Sequence, residues 1–351
     1  MAETKGNFST PNIPAPDIFA SDTPGQNIPA LDITVAIPTY NGAKRLPQLL
    51  ERLQAQVNTA GLRWEVLIVD NNSQDNTAEV IQHYQALGSL GVPLRSAFEP
   101  RQGAAFARQT AIQAARGEWV GFLDDDNLPE VNWVAEAVDF GRRHGQVGAF
   151  GGRIEGCYET TPPEGFEQIK AMLAIRDHGP EVISFEPKKL RLPPAASLVI
   201  RRQAWIDCVP TEPALAGKLP GVFIQGDDYE PLLYIDKGNW QILYNPALKT
   251  YHQIARQRFE REYLLTLARG CGLSTCQLAL IADDSWCRPL VALRVFVGSL
   301  RRLTAHLLHS RGKANADLAA AVQLQFHLGS LLSPLYVRRW VRLPLRLVPK
   351  E

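Results

Sequence analysis

The sequence predicts an α/β protein: a doubly wound, mostly parallel sheet flanked by helices, with a C-terminal helical extension. Three observations carry this prediction. Short β-branched apolar runs alternate with helix-period segments as far as Tyr251. Two of those runs end at an aspartate, Asp70 and Asp124, which puts carboxylates at the strand ends where such sheets bind ligands. From Arg256 onward strand-like runs vanish and amphipathic helical spacing takes over.

The elements follow in order. Residues 1–31 read as a tail, because Pro11, Pro14, Pro16, Pro24 and Pro29 sit among small polar residues with little to bury. Ile33-Thr-Val-Ala-Ile37 is a buried strand stopped by Pro38. Asn41-Gly42 signals a turn. Ala43–Val57 then reads as a helix with Leu46, Leu49, Leu50 and Leu53 on one face and Pro47 in its first turn. Trp64-Glu-Val-Leu-Ile-Val69 is a second strand, followed by a polar loop and a helix over Thr77–Leu87 capped by Asp75 or Asn76. A strand near Leu94–Phe98 precedes an Ala-rich helix from Gly103 to Arg116, closed by Gly117. Trp119-Val-Gly-Phe-Leu123 is a strand running straight into Asp124-Asp-Asp126.

A helix over Asn132–Arg143 comes next, then strands at Val147–Ile154 and Ala196–Ile200 around a Pro-rich insertion near 158–194. Phe223–Lys237 holds a Gly-Asp-Asp turn and a helix, and Trp240–Tyr244 and Leu248–Tyr251 are two short strands. The chain thus divides into a tail (1–31), an α/β domain (32–255) and an amphipathic helical region (256–351). In that last region Leu290, Leu293, Phe296, Val297, Leu300, Leu303 and Leu307 recur at helical spacing within Arg288–His309. Val322–Leu332 is also amphipathic, and Val337–Arg346 mixes basic with apolar residues.

Of 351 residues, 45% are hydrophobic and 21% charged, which excludes wholesale disorder. A net charge of +1 speaks against a dedicated nucleic-acid binder. The charge is uneven: residues 288–351 carry eleven Lys/Arg against two Asp/Glu, leaving the body acidic. This tail suits an anionic partner, such as a membrane surface, or packs as a helical subdomain or oligomer interface. The five scattered cysteines contain no C-x-x-C, which points away from a disulfide framework or zinc site and toward a reducing compartment. Met1–Asn27 lacks the apolar stretch of a signal peptide, and no unbroken apolar run is long enough for a bilayer-spanning helix. The expectation is a cytoplasmic protein, peripheral on the inner face of the plasma membrane.

Four constellations carry chemistry. Three successive carboxylates ending an apolar strand, Asp124, Asp125 and Asp126, repel one another and are costly to desolvate. A hard divalent cation, Mg²⁺ or Mn²⁺, relieves that cost; an acidic surface turn is the alternative. Tyr40 and Asn41 beside Asp70 and Asn72 can stack a base and accept from its N–H, or form two solvated turns. Arg101 and Arg108 flank a helix start at Gly103, a place for an anion or for exposed arginines. Asp227 and Asp228 enter a helix, as a general base or as caps, and His252 follows a strand as a metal ligand or a structural histidine. G-x-G-x-x-G and P-loop motifs are absent from the sequence.

In order along 33–255, Val35-Ala-Ile-Pro-Thr-Tyr-Asn41, Val69-Asp-Asn-Asn-Ser73, Arg101-Gln-Gly103, Phe122-Leu-Asp-Asp-Asp126, Gly226-Asp-Asp228 and Tyr251-His252 resemble the motif succession of inverting glycosyltransferases of family 2, which have the GT-A fold. Phe122–Pro129, Leu192-Pro-Pro-Ala-Ala196, Val199–Trp205 and Tyr251–Ile254 resemble the subgroup associated with hormogonium polysaccharide in filamentous cyanobacteria. The resemblance implies a nucleoside diphosphate sugar donor, a saccharide or lipid-linked acceptor and a Mn²⁺ or Mg²⁺ cofactor. It implies that Tyr40 and Asp70 hold the base, usually uracil, and that Asp124 faces the ribose or the metal. Asp126 and His252 would bind the metal, and Asp228 would be the catalytic base. Pro38, Asn41, Asn72, Arg101, Gly103, Arg108 and Asp125 complete the implied donor-binding set. The first acid of the family's Glu-Asp pair is here the shorter Asp227, and Leu232-Leu-Tyr234 replaces the Arg- or Gln-containing motif that usually follows. Two other classes fit some of these features: a metal-dependent nucleotidyltransferase, and a non-catalytic nucleotide-binding assembly protein at the membrane.

Overall fold

The first four strands, β1 (Leu31–Thr39), β2 (Trp64–Asp70), β3 (Leu94–Phe98) and β4 (Gly117–Phe122), run parallel in the spatial order β3-β2-β1-β4. The helices between them are α1 (Leu46–Gln54), α2 (Thr77–Leu87) and α3 (Ala104–Ala114). The computed structural model describes residues 31–219, 222–283, 287–309 and 317–337. The expected tail up to residue 30 and the basic segment beyond Val337 lie outside the described residues.

Strand alternation sorts the apolar side chains onto two faces. Ile33, Val35, Ile37, Val66 and Ile68 join the four leucines of α1 in one core. Ala36, Leu67, Val69, Val120 and Phe122 pack on the other face against Ala107, Ala111 and Ile112 of α3. Pro38 does not end β1. It lies beyond Ala36, the last β1 residue in register with β4, where that ladder has already ended. Gly117 does not close α3 either. It is the first residue of β4, and a Cβ there would meet Thr34 N at 2.4 Å.

The remainder comprises β5 (Asn127–Pro129), α4 (Trp133–Arg143), β6 (Val147–Tyr158), β7 (Ile183–Ser184), β8 (Leu198–Arg201), α5 (Arg202–Cys208), the two-stranded ribbon β9 (Lys218–Leu219) and β10 (Val222–Phe223), α6 (Tyr229–Lys237) and β11 (Gln241–Ile254). The sheet is mixed. Strand β8 inserts antiparallel between β4 and β6, β11 runs parallel to β6, and β5 and β7 pair antiparallel with β11. The two short strands expected at 240–251 are one strand, β11, with a register break between Asn245 and Lys249. Pro246 sits in that break, where a missing amide is tolerated.

Among the described residues four α-helices follow: α7 (Arg261–Leu273), α8 (Thr275–Ala282), α9 (Arg288–His309) and α10 (Leu318–Leu332). Leu264, Leu267 and Ala268 of α7 and Ala319 and Val322 of α10 form a third core with Phe166, Ile169 and Leu173 of the Pro-rich insertion. One stretch, Arg261–Ala282, is long and apolar enough to cross a membrane by length and composition. Arg261, Glu262 and Arg269 interrupt it, so it is not an unbroken apolar run, and 61% of its apolar window is buried inside the fold. Its apolarity is accounted for by the third core and by Leu278 and Ile281, which pack under the sheet.

Candidate active site

The carboxyl ends of β1, β2 and β4, the Asp227–Asp228 turn before α6, and α7–α8 enclose a cleft of about 610 Å³. Pro38, Tyr40, Gly103, Arg108, Asp124, Asp125, Asp126, Asp228 and His252 all line it. So do residues from beyond 255, including Arg258, Leu267 and Leu278. Tyr40 offers an open aromatic face, with the residue 41% exposed. Gly103, at φ +138°, starts α3 in close contact with the chain: a Cβ there would meet Ala216 O at 2.5 Å.

The three consecutive carboxylates have three different partners. Asp125 is buried and receives Arg45 through both Nε (2.6 Å) and Nη2 (2.9 Å), plus the Thr39 hydroxyl at 2.6 Å. Burial pushes its pKa up against those partners. Asp124 opens on the cleft, 3.7 Å from Arg108 Nη2, and burial raises its pKa while Arg108 opposes the shift. Asp126 accepts from Arg258 Nη2 at 2.8 Å. Burial works against its charge, but the Arg258 guanidinium beside it holds its carboxyl well below the usual carboxylate range. Of the three, Asp126 is the firmly ionised one.

His252 reaches Asp126 through sheet register. It lies opposite Asn127 in the antiparallel β5–β11 pair, and Gln253 N donates to Asp126 O at 2.9 Å. Its Nδ1 is 2.9 Å from Leu173 O, which can only accept, and its Nε2 is 2.8 Å from Arg258 Nη1, which can only donate. The ring is therefore neutral here, with the Nε2 lone pair facing the cleft. His252 Nε2 and Asp126 Oδ2 are 3.6 Å apart. Two ligands each about 2.1 Å from one small divalent ion, at right angles, lie about 3.0 Å apart. Among the described residues no three His, Cys, Asp or Glu side chains converge as a formed metal site. The carboxylate and imidazole nonetheless suit Mn²⁺ or Mg²⁺, and it is Arg258 that lies between them.

On the far side, Asp228 stands at the N-terminus of α6 and its Oδ2 accepts weakly from Ala195 N at 3.4 Å. Burial and the adjacent Asp227 charge push its pKa up to about 6, with Arg108 opposing. Asp227 is turned inward and binds Arg108 Nη1 at 2.6 Å. Burial opposes the charge on Arg108, but Asp227, Asp124 and Asp228 keep it protonated. Arg108 Nε is buried without a hydrogen-bond partner, a donor left over in the cleft wall.

Four expected donor contacts lie outside the cleft lining. Arg101 is drawn away by carboxylates: its N, Nε and Nη2 bind Glu99, its Nη1 binds Glu212, and the guanidinium stacks on Phe106. Ala105 N is also engaged, by Ala216 O at 3.4 Å, so one of the amides an anion would use at this helix start already has a partner in the chain. Asp70 Oδ1 accepts from Ser73 N at 3.0 Å within its own turn. Asn41, at φ 51°, locks two loops together by accepting from Gln74 N and donating its own N–H to Ser73 Oγ. Asn72 lies in a left-handed bend at φ 62°, and its neighbour Asn71 lines the cleft instead. Asn71 Nδ2 donates to Glu99 O and Arg101 O, and its Oδ1 accepts from Gly103 N. Sequence reasoning missed Asn71, Arg45 and Arg258. Asn71 carries a signal, being the residue immediately after the strand-end aspartate.

Comparison with known proteins agrees with this architecture. Residues 34–204 match the glycosyl transferase family 2 model. The chain is 32% identical to glycosyltransferase AglE of Haloferax volcanii over 36% of its own length and 40% of that protein. It is 26% identical to the poly(ribitol-phosphate) β-N-acetylglucosaminyltransferase TarP of Staphylococcus aureus, over 39% of this chain and 41% of TarP. It therefore spans less than half the length of these two relatives. Among solved structures, the mannosyltransferase PcManGT of Pyrobaculum calidifontis, in complex with GDP-Man and Mn²⁺, superposes with a TM-score of 0.57 at 18% identity, covering 87% of each chain. That likeness concerns the fold. With the strand order and the cleft in place, residues 34–204 of this chain are similar to glycosyltransferase family 2 domains, and the fold around them is GT-A-like.

Proposed function

We propose that this protein is an inverting glycosyltransferase that moves a sugar from a nucleoside diphosphate donor, UDP-linked, to a hydroxyl of a saccharide or lipid-linked acceptor in cell-surface or exopolysaccharide synthesis. The observation that carries the proposal is the single cleft onto which Tyr40, Asp124, Asp126, His252 and Asp228 all open. Tyr40 stacks the base. Asp126 and His252, with Asp124 beside them, hold Mn²⁺ or Mg²⁺, which when bound supplies charge neutralisation to the leaving diphosphate. Asp228 takes the proton from the acceptor hydroxyl as that oxygen attacks the anomeric carbon. Its raised pKa keeps it basic enough to accept that proton near neutral pH while still ionised. Arg108 pairs with Asp227 and so tempers, without cancelling, the push of that carboxylate on Asp228.

The finer placement in the hormogonium-polysaccharide subgroup is proposed on sequence resemblance alone, that of the Leu192–Ala196 block among others. Pro194, Ala195 and Ala196 of that block line the cleft beside Asp228. A panel of sugar nucleotides, each with Mn²⁺, tests the function: release of a nucleoside diphosphate and an acceptor-dependent product with inverted anomeric configuration are expected. Pyrophosphate release from nucleoside triphosphates, with every sugar nucleotide left intact, would overturn it.

We further propose a cytoplasmic location with α9 resting on an anionic membrane. The helix buries Val291, Ala292, Ser299 and Leu303 and turns a second apolar stripe outward: Leu290, Leu293, Val297, Leu300, Leu307 and Leu308. Arg301 and Arg302 are exposed alongside, matching negatively charged headgroups. Sedimentation with phosphatidylserine vesicles should be salt-sensitive and be lost in Leu293→Ser/Val297→Ser. Equal binding to neutral vesicles, or a dimer abolished by the same variant, would overturn the membrane assignment.

A further inference from the structure

Each aspartate of the Asp124–Asp126 cluster has its own arginine: Arg108 for Asp124, Arg45 for Asp125 and Arg258 for Asp126. The three arginines are held very differently. Arg108 is wholly enclosed and locked to Asp227, and Arg45 makes a two-pronged pair with Asp125 and a third bond to Tyr40 O. Arg258 sits on the 3₁₀ turn Arg256–Phe259, which Phe259 anchors edge-on against Phe166 and Tyr158, whereas the Arg258 side chain is itself a quarter exposed and can swing without moving the turn. Its guanidinium spans Asp126 Oδ2 and His252 Nε2, both at 2.8 Å, the two atoms that suit a divalent ion. Only one cation fits between them.

We propose that Arg258 is the exchangeable counter-cation of this site: it occupies Asp126 and His252 until metal and diphosphate arrive together, then yields both acceptors to the ion and transfers its fork to the diphosphate. This rests on the glycosyltransferase reading. A guanidinium satisfies the Asp126 charge and the His252 lone pair while no metal is present, so the pocket does not hold an unpaired carboxylate. When the ion takes those atoms, Arg258 loses both partners, and a diphosphate held by the ion presents the paired oxygens that its planar fork binds best. Metal alone must break two charge-assisted or lone-pair contacts with nothing offered to Arg258 in return. Metal with diphosphate supplies the replacement. The two ligands therefore favour each other's binding, reciprocally.

The test is Mn²⁺ uptake by the full chain, followed through the electron paramagnetic resonance signal of free Mn²⁺, with and without UDP. Without UDP, Arg258→Met should bind Mn²⁺ at least ~10-fold more tightly than wild type, a gain of about 1.4 kcal/mol. Arg256→Met removes a like charge two residues away and should stay within about twofold of wild type. UDP should tighten Mn²⁺ binding strongly in wild type and much less in Arg258→Met. Arg258→Lys keeps the charge without the fork and should fall between; it also serves if the Met variant fails a circular-dichroism check of folding. If Arg258→Met binds Mn²⁺ no more tightly than wild type while both take it up with UDP, the exchange is overturned and the glycosyltransferase reading stands. If Arg256→Met matches Arg258→Met, the effect is a diffuse field and the exchange is again overturned. If neither chain takes up Mn²⁺ even with UDP, the exchange and the metal assignment fall together.

Discussion

Arg108 and Asp227 form a 2.6 Å ion pair under the cleft, and both side chains are at most 10% exposed. The pair explains why the shorter Asp serves as first acid of the turn. It reaches inward to a guanidinium and leaves Asp228 as the acid that opens toward substrate. Asp227→Asn should therefore act chiefly on stability, because it removes the closest counter-charge of a buried arginine. A loss of about 3 kcal/mol is expected in thermal or denaturant unfolding. Adding Arg108→Met should return part of that loss, the coupling expected of a directly bonded pair.

Asp228→Asn should leave donor affinity within a few-fold of wild type and cut turnover by roughly 10²–10⁴-fold, the usual worth of a general base. Calorimetry with UDP and single-turnover product formation separate the two effects. Wild-type transfer by the variant would move the base elsewhere.

The same carboxyl sets a pH dependence. With its pKa pushed up to about 6, turnover should fall about tenfold per unit below pH 6, reporting loss of the basic form. The stability effect has the opposite sense. A carboxyl whose folded pKa lies above its ordinary 3.8 contributes stability that is fully present below 3.8 and is lost as pH rises through about 6. Asn mimics the protonated acid, so Asp228→Asn should unfold later than wild type at pH 7.5, by about 1 kcal/mol once solvent screening of this half-buried group is allowed for. The two melting curves should converge near pH 3.5.

Asp126→Ala should abolish the Mn²⁺-dependent part of nucleotide binding, because it removes the firmly ionised carboxylate beside His252. Unchanged UDP affinity in Mn²⁺, measured by calorimetry, would count against a metal there.

Arg101→Ala is expected to behave unlike a donor-site variant. Its partners are Glu99 and Glu212 rather than the cleft, and burial of Glu99 is offset by Arg101 and Thr110, which lower its pKa. The change should cost about 1 kcal/mol of stability and leave the donor KM within twofold of wild type. A tenfold rise in KM would return Arg101 to the nucleotide.

Strands β1, β2 and β4 were legible because unbroken runs such as Ile33–Ile37 and Val66–Val69 are buried on both faces, and burial on both faces is visible in composition alone. Strand β5 was not legible: three residues, Asn127-Leu-Pro129, carry no periodicity, and only pairing with β11 makes them a strand. Pro246 made β11 read as two strands, since sequence cannot tell a bulge from a break. In the site, the aspartates and His252 stand out by type and position. Arg258 does not, because nothing in Arg256-Gln-Arg-Phe259 points to Asp126, which lies 132 positions away and is reached only through the register of β5 and β11. Arg101 misled because charge and proximity to a helix start are visible in sequence, whereas the pull of Glu212, 111 positions on, is not.

The cleft has two banks of different origin. Tyr40, Asp124 and Asp228 come from the sheet and its connecting turns, whereas Arg258, Leu267, Ser274 and Leu278 come from the helical stretch beyond Ile254. A chain cut after that strand would keep its floor and its acids but stand open along one flank, with water admitted to the place where a sugar must be shielded from it. Grafting foreign helices onto the same sheet would re-line that flank without touching the acids, so the two halves of the cavity are separately editable.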